Sequence, residues 1–181
     1  MIKIGLFILP DYSTKRIIEN LKKIVKKKFG NQTYLDHLPH CTIYVFNTSK
    51  KNLKKIKKIR YIPISKNNTF ILEKTDIFYN DPMTKKNTYF LKIKKNNFLK
   101  KLQKSVLENF SKYSYKKKIK FGNKIMNKNY RSFGYPFINL NWKPHFTIAS
   151  ISLNKDQFKF IQNFKKISIS KSQSLKNIYL Y

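Results

Sequence analysis

Acidic residues are scarce in this chain. Eight Asp and Glu stand against forty Lys and Arg, which leaves a formal net charge of +32. An AT-rich coding sequence would enrich Lys, Asn, Ile, Phe and Tyr together, but it does not deplete carboxylates. The depletion points to a polyanionic partner, attracted over long range and released by salt. Only Arg16, Arg60 and Arg131 are arginines. Lysine acts as a point charge rather than a planar fork, so attraction to a phosphate backbone is expected more than reading of bases. The few carboxylates are scattered, with no pair at ligand spacing beside a histidine, and neither a metal nor another cofactor is expected. One cysteine, Cys41, excludes an internal disulfide and fits a reducing compartment, the cytoplasm. No apolar run approaches the ~20 residues of a membrane span. The run Ile4 to Leu9 is too short for a secretory signal and lacks its small-residue cleavage site. A membrane partner is therefore not expected.

What the chain does contain is enough for one folded domain over residues 1–181. Of its residues, 41% are hydrophobic and 15% aromatic, and this length can bury a proper core. A strand is expected at 2–9. A helix follows, capped by Asp11 or Ser13, with Ile17, Ile18, Leu21, Ile24, Val25 and Phe29 at helical spacing and Gly30 closing it. Ser49 is expected to cap a short basic helix carrying Leu53, Ile56 and Ile59. Strands at 69–79 and 87–94 flank the turn Asn80-Asp81-Pro82. Asn96 or Asn97 opens a second long helix, Asn154 caps a last one, and short strands near 167–169 and 175–180 finish the chain. The basic patches at 22–28 and 49–59 read as solvated faces.

Two stretches stand out from this background. Leu38-Pro39-His40-Cys41-Thr42-Ile43 and Lys143-Pro144-His145-Phe146-Thr147-Ile148 both run Pro-His-x-Thr into an apolar, β-favouring segment. In a strand, alternate side chains share a face, so each His and its Thr project together while Cys41 or Phe146 points into the opposite layer. An imidazole titrates near neutrality, and a Thr hydroxyl can hold a phosphate oxygen. Face to face, two such pairs supply a general base, a general acid and two phosphate-holding hydroxyls, which suffices to cleave a phosphodiester without a metal. A single H-x-T carries little information; two copies in the same local context carry far more. His37, three residues before His40, reads as a surface or supporting residue, and Trp142 reads equally as core or as part of the site.

These motifs resemble those of the 2H phosphoesterase superfamily, the 2′-5′ RNA ligase-like proteins and cyclic phosphodiesterases named for two H-x-T/S motifs. His40 and Thr42 match the first motif, His145 and Thr147 the second. The chain also repeats its order: strand, long helix, Pro-His-x-Thr strand. A duplicated unit would bring the two motif strands together across a cleft. The resemblance implies an α+β fold of two pseudo-symmetric lobes of antiparallel sheet, with helices outside and a central cleft.

The second copy is longer, and the surplus falls at about 111–141, an irregular insertion where basic and aromatic residues interleave. It could stack bases and hold phosphates at the cleft mouth, or equally form a surface hairpin whose aromatics cover the sheet. From it, Arg131 and Tyr135 join Tyr12 and Lys143 as candidate substrate-binding residues beside the catalytic set His40, Thr42, His145 and Thr147. The expected enzyme is a metal-independent phosphodiesterase, acting as a monomer on 2′,3′-cyclic phosphates or 2′-linked bonds of RNA or oligonucleotides. One alternative is a phosphodiesterase, viral among others, that destroys cyclic or 2′-5′ oligonucleotide immune signals in the host cytoplasm. Another is an RNA-binding protein without turnover.

Overall fold

The computed structural model describes residues 1–59, 68–152, 157–175 and 177–181. Strand β1 (Ile2–Ile8) leads into helix α1 (Tyr12–Phe29). Asp11 is its cap, accepting from the Thr14 N–H at 2.7 Å. The helix buries Ile18, Leu21 and Val25 along one stripe, and Gly30 ends it at φ 67°, a conformation in which a side chain is strained. The first motif enters β2 (Cys41–Thr48), followed by a 3₁₀ turn (Lys50–Asn52) and the short α2 (Leu53–Lys57). Ser49 precedes that turn but makes no side-chain cap bond, contrary to the expectation from sequence.

Next come β3 (Thr69–Phe78), β4 (Asn87–Lys94) and α3 (Asn97–Phe110), the last capped by Asn96 on the Leu99 N–H at 2.9 Å. The stretch expected to be irregular contains a helix, α4 (Lys124–Phe133). Asn123 caps it through the N–H groups of Ile125 and Met126, and Gly134 terminates it at φ 75°. The second motif forms β5 (His145–Ile151). Helix α5 (Gln157–Lys165), β6 (Ser168–Ser174) and β7 (Tyr179–Leu180) complete the chain. The Asn154 cap expected for α5 lies outside the described residues. Strand β6 is longer than its polar, Ser-rich sequence suggests; ladder pairing with β3 holds it in place.

All pairings are antiparallel. They form two sheets, of order β2-β1-β7 and β5-β4-β3-β6. The motif strands β2 and β5 are thus each an edge strand, and the two edges lie against one another. The long helices cross over: α1 packs on β5 of the second sheet, and α3 on β2 of the first. One continuous hydrophobic cluster fills the space between, from Ile4 and Ile18 through Cys41 and Phe146 to Phe160. Among the described residues, no helix is long and apolar enough to cross a membrane.

Candidate active site

The two motifs repeat one another residue by residue. In both, Pro is buried, His is half-buried, the next residue is buried and Thr is half-buried. The alternation sends His and Thr to one face and Cys41 or Phe146 into the core. Each strand then carries an irregularity at the same place. Phe7 of β1 stands opposite Thr42 and Leu6 opposite Tyr44, so Ile43 is an extra residue in β2. Phe90 of β4 stands opposite Thr147 and Tyr89 opposite Ala149, so Ile148 is the extra residue in β5. A bulge bends its strand and re-aims the side chains beside it. Here both bulges begin immediately after the motif Thr. In the first lobe, side chains satisfy the carbonyls freed at the bulge: Trp142 Nε1–H donates to Thr42 O at 2.8 Å and Gln103 Nε2–H to Ile43 O at 3.1 Å.

Each imidazole is oriented in the same way. His40 Nδ1 lies 2.8 Å from Leu38 O, and His145 Nδ1 lies 2.6 Å from Lys143 O. A carbonyl oxygen only accepts, so Nδ1 carries the proton and Nε2 of the neutral ring holds the lone pair. Aromatic rings fix the ring planes: Phe7 meets His40 edge-on at 4.6 Å, and Phe78 and Phe90 each meet His145 at 5.0 Å. Among the described residues, neither the Nε2 atoms nor the hydroxyls of Thr42 and Thr147 take a protein hydrogen-bond partner. Two bases and two hydroxyls are left for a ligand.

Burial lowers both imidazole pKa values below the ordinary one. The Leu38 contact opposes this at His40, while the nearby His37 and Lys22 add to it. At His145 the Lys143 carbonyl and the Asp81 carboxylate oppose it, and His40 adds to it, which places the two imidazoles within electrostatic reach of each other. Between the motif strands, Cys41 is fully buried beside the His145 backbone, and burial pushes its thiol up to about 12. It is no nucleophile at neutral pH.

Sequence reading missed the devices that hold these loops. Lys22, expected on a solvated face, is 7% exposed. Its ammonium donates to Tyr34 O at 2.8 Å, Leu35 O at 3.0 Å and His37 O at 2.5 Å, so three carbonyls of the loop before His40 converge on one cation. Lys95 does the same for the second motif, donating to Trp142 O at 3.0 Å and to Asn139 O. Burial lowers both lysine pKa values. A third unforeseen lysine, Lys92, stands directly opposite His145 in the ladder and pairs with Glu73 at 2.8 Å. The period-2 pattern Thr88, Phe90, Lys92 was its available signal.

The remaining candidates separate. Lys143 is exposed, with its ammonium 5.5 Å from the centre of the Phe78 ring that supports His145. Tyr12 is 76% exposed at the start of α1, and Arg16 lies 6.0 Å from its ring. Tyr135 packs edge-on against Tyr44 at 6.0 Å, and Tyr44 points to the face of β2 opposite Thr42. Its phenol is raised by burial. Arg131 lies on α4, whose end is fastened to that same buried layer by the Tyr44 hydroxyl bond to Phe133 O. The structure does not bring these two to the imidazoles. His37 is exposed, its ring against Tyr34 at 5.1 Å, and Trp142 is core.

No family model and no curated protein matches this sequence. Solved structures do. TT0787 of Thermus thermophilus superposes with a TM-score of 0.66 at 13% identity, covering 99% of this chain and 87% of that one. E. coli LigT, solved with 3′-AMP, gives 0.57 at 13% identity, with 99% and 86% covered. A protein described as a phosphoesterase gives 0.54 at 11% identity, with the same coverage. The fold is LigT-like. The expected likeness holds at the level of the fold, and the α+β architecture of antiparallel sheets is borne out.

Proposed function

We propose that this chain is a metal-independent phosphodiesterase in which His40 and His145 are base and acid, acting on 2′,3′-cyclic phosphates or 2′-linked bonds in RNA. One observation carries the reading: two imidazoles on abutting edge strands, each with Nδ1 tied to the carbonyl two residues earlier and each beside a free Thr hydroxyl. The LigT-like fold supports it, because related architectures include a named phosphoesterase and LigT solved with NADP⁺ and with 3′-AMP. The net charge of +32 favours RNA over a small messenger.

The chemistry balances without further groups. Nε2 of one neutral imidazole takes a proton from water as its oxygen attacks phosphorus. The bond from phosphorus to one ribose oxygen breaks, and the other imidazolium gives that oxygen a proton. Thr42 and Thr147 donate to the non-bridging oxygens where charge builds. Proton exchange with solvent resets the pair. The base must be neutral and the acid protonated, so kcat/KM rises through the pKa of one and falls through that of the other. Burial lowers both values, and the alkaline limb is expected on the acid side of an ordinary imidazole.

The test is turnover in EDTA of a 2′,3′-cyclic mononucleotide, an RNA ending in a cyclic phosphate, 2′-5′ oligoadenylate, and cyclic dinucleotides, with His40→Ala and His145→Ala beside the parent. Turnover that both substitutions abolish supports the two-histidine reading, and the preferred substrate separates RNA processing from destruction of a nucleotide signal. No turnover by the folded parent overturns it in favour of RNA binding alone.

A further inference from the structure

Helix α4 fits none of the roles assigned so far. Its apolar side, Met126, Tyr130 and Phe133, faces the protein, and Asn129 donates inward to Pro136 O and Ile138 O. Its outer side carries Lys124, Lys128 and Arg131, all exposed. At positions i, i+4 and i+7 these three cations share one stripe. They line a concave surface completed by Asn127 and Ser132. Among the described residues, none of the three pairs with a carboxylate.

The stripe is locally unfavourable. Like charges four apart weaken a helix, whereas opposite charges strengthen it by a similar amount. Helices α1 and α3 each carry a relieving pair, Lys15–Glu19 and Lys104–Glu108. Helix α4 has no acid at all, and no Asp or Glu occurs anywhere between Glu108 and Asp156. Asn127 does not offset the charge either, since its amide is spent on both backbone groups of Phe121. The groove is a cationic, hydrogen-bonding concavity held on a rigid helix and anchored to the layer opposite the catalytic face.

We propose that this groove binds the phosphodiester backbone of single-stranded RNA outside the cleft, so that the enzyme engages a strand rather than a nucleotide. The proposal rests on the RNA reading above, but it is tested by binding alone. The probe is a 2′-O-methylated oligoribonucleotide, which keeps the backbone and has no 2′-hydroxyl to attack. Affinity is measured across a salt series for the parent, for Lys124→Gln/Lys128→Gln/Arg131→Gln, and for Lys54→Gln/Lys55→Gln/Lys57→Gln on α2, which removes equal charge from exposed positions elsewhere. Three lost phosphate contacts should flatten the slope of log affinity against log salt by about 2, roughly a hundredfold loss at 0.1 M salt for single strands. The α2 variant should keep the parent's slope. Equal losses in both variants, no loss in either, or no binding by the parent would each overturn the proposal. Because the probe is not cleaved, a failed phosphodiesterase reading and a failed groove give different results.

Discussion

The two motif strands share a backbone device and differ in what surrounds it. Both place a bulge after Thr, both tie Nδ1 to a carbonyl and both gather the preceding loop on a lysine, buried at Lys22 and half-buried at Lys95. The first lobe surrounds its imidazole with basic groups: His37 and Lys22 both disfavour protonated His40. The second sets a carboxylate, Asp81, within reach of His145, and a ladder neighbour, Lys92, whose charge is already met by Glu73. On the proposed two-histidine mechanism, symmetric geometry would bring two equivalent bases to one substrate, and the asymmetric field is the feature that would divide acid from base.

The largest effect is expected from removing either ring. His40→Ala and His145→Ala should each lower kcat by on the order of 10²–10⁴-fold. If the rings act as one unit, the double variant falls little further than the worse single one. A variant that keeps most of its activity would break the equivalence of the lobes. Thr42→Val and Thr147→Val should follow at about 10²-fold, since each removes one donor to the developing charge.

The lysine clamps sharpen the comparison. Lys22→Met strands three carbonyls and Lys95→Met two, so both should lower kcat by about tenfold with KM less affected, Lys22 more severely. A pH readout separates them. Removing the Lys22 charge removes a group that lowers His40, so the His40 pKa should rise in an NMR titration. No such effect of Lys95 on His145 is expected. Equal behaviour of the two rings would mean that Lys22 acts only as a strut.

Gly5→Ala probes the first lobe alone. An added Cβ would lie 2.1 Å from Phe7 Cζ, because the ring folds back over the glycine. Phe7 must move off His40, and thermal unfolding should show a loss of about 1–3 kcal/mol. The second lobe has no such dependence, since Thr88 occupies the matching place two residues before Phe90.

Much of this was legible in the residues. Pro-His-x-Thr in two copies marked the candidate site, and Asp11, Gly30 and Asn96 announced the helix ends, because caps and short motifs are local chemistry. What escaped was set by partners distant in the chain. Lys22 lies among lysines that do face solvent, and only the loop at 34–37 folding over it makes it a clamp. A one-residue bulge leaves no mark on a strand pattern, so Ile43 and Ile148 looked like ordinary strand residues. Helix α4 was masked by the Lys-, Asn- and Gly-rich composition around it, although Asn123 and Gly134 bracket it as caps. Tyr135 read as a stacking residue because nothing in its neighbourhood reveals that Tyr44 covers it.

The smallest effect tests the asymmetry most directly. Asp81→Asn keeps the size of the side chain and removes its charge. The carboxylate now raises the His145 pKa, so its loss should lower that value further. If His145 is the acid, the alkaline limb of kcat/KM moves to lower pH and activity near neutrality falls by a few-fold. If His145 is the base, the acid limb moves instead, and activity on that side rises. The substitution also leaves an amide where a carboxylate accepts from Thr88 at 2.5 Å and from the Met83 N–H at 2.9 Å, so unfolding is measured alongside. A shift of one limb without loss of stability assigns the role of His145 and, through it, that of His40. A shift of neither would mean that the surrounding charges do not divide the labour, and that substrate polarity does.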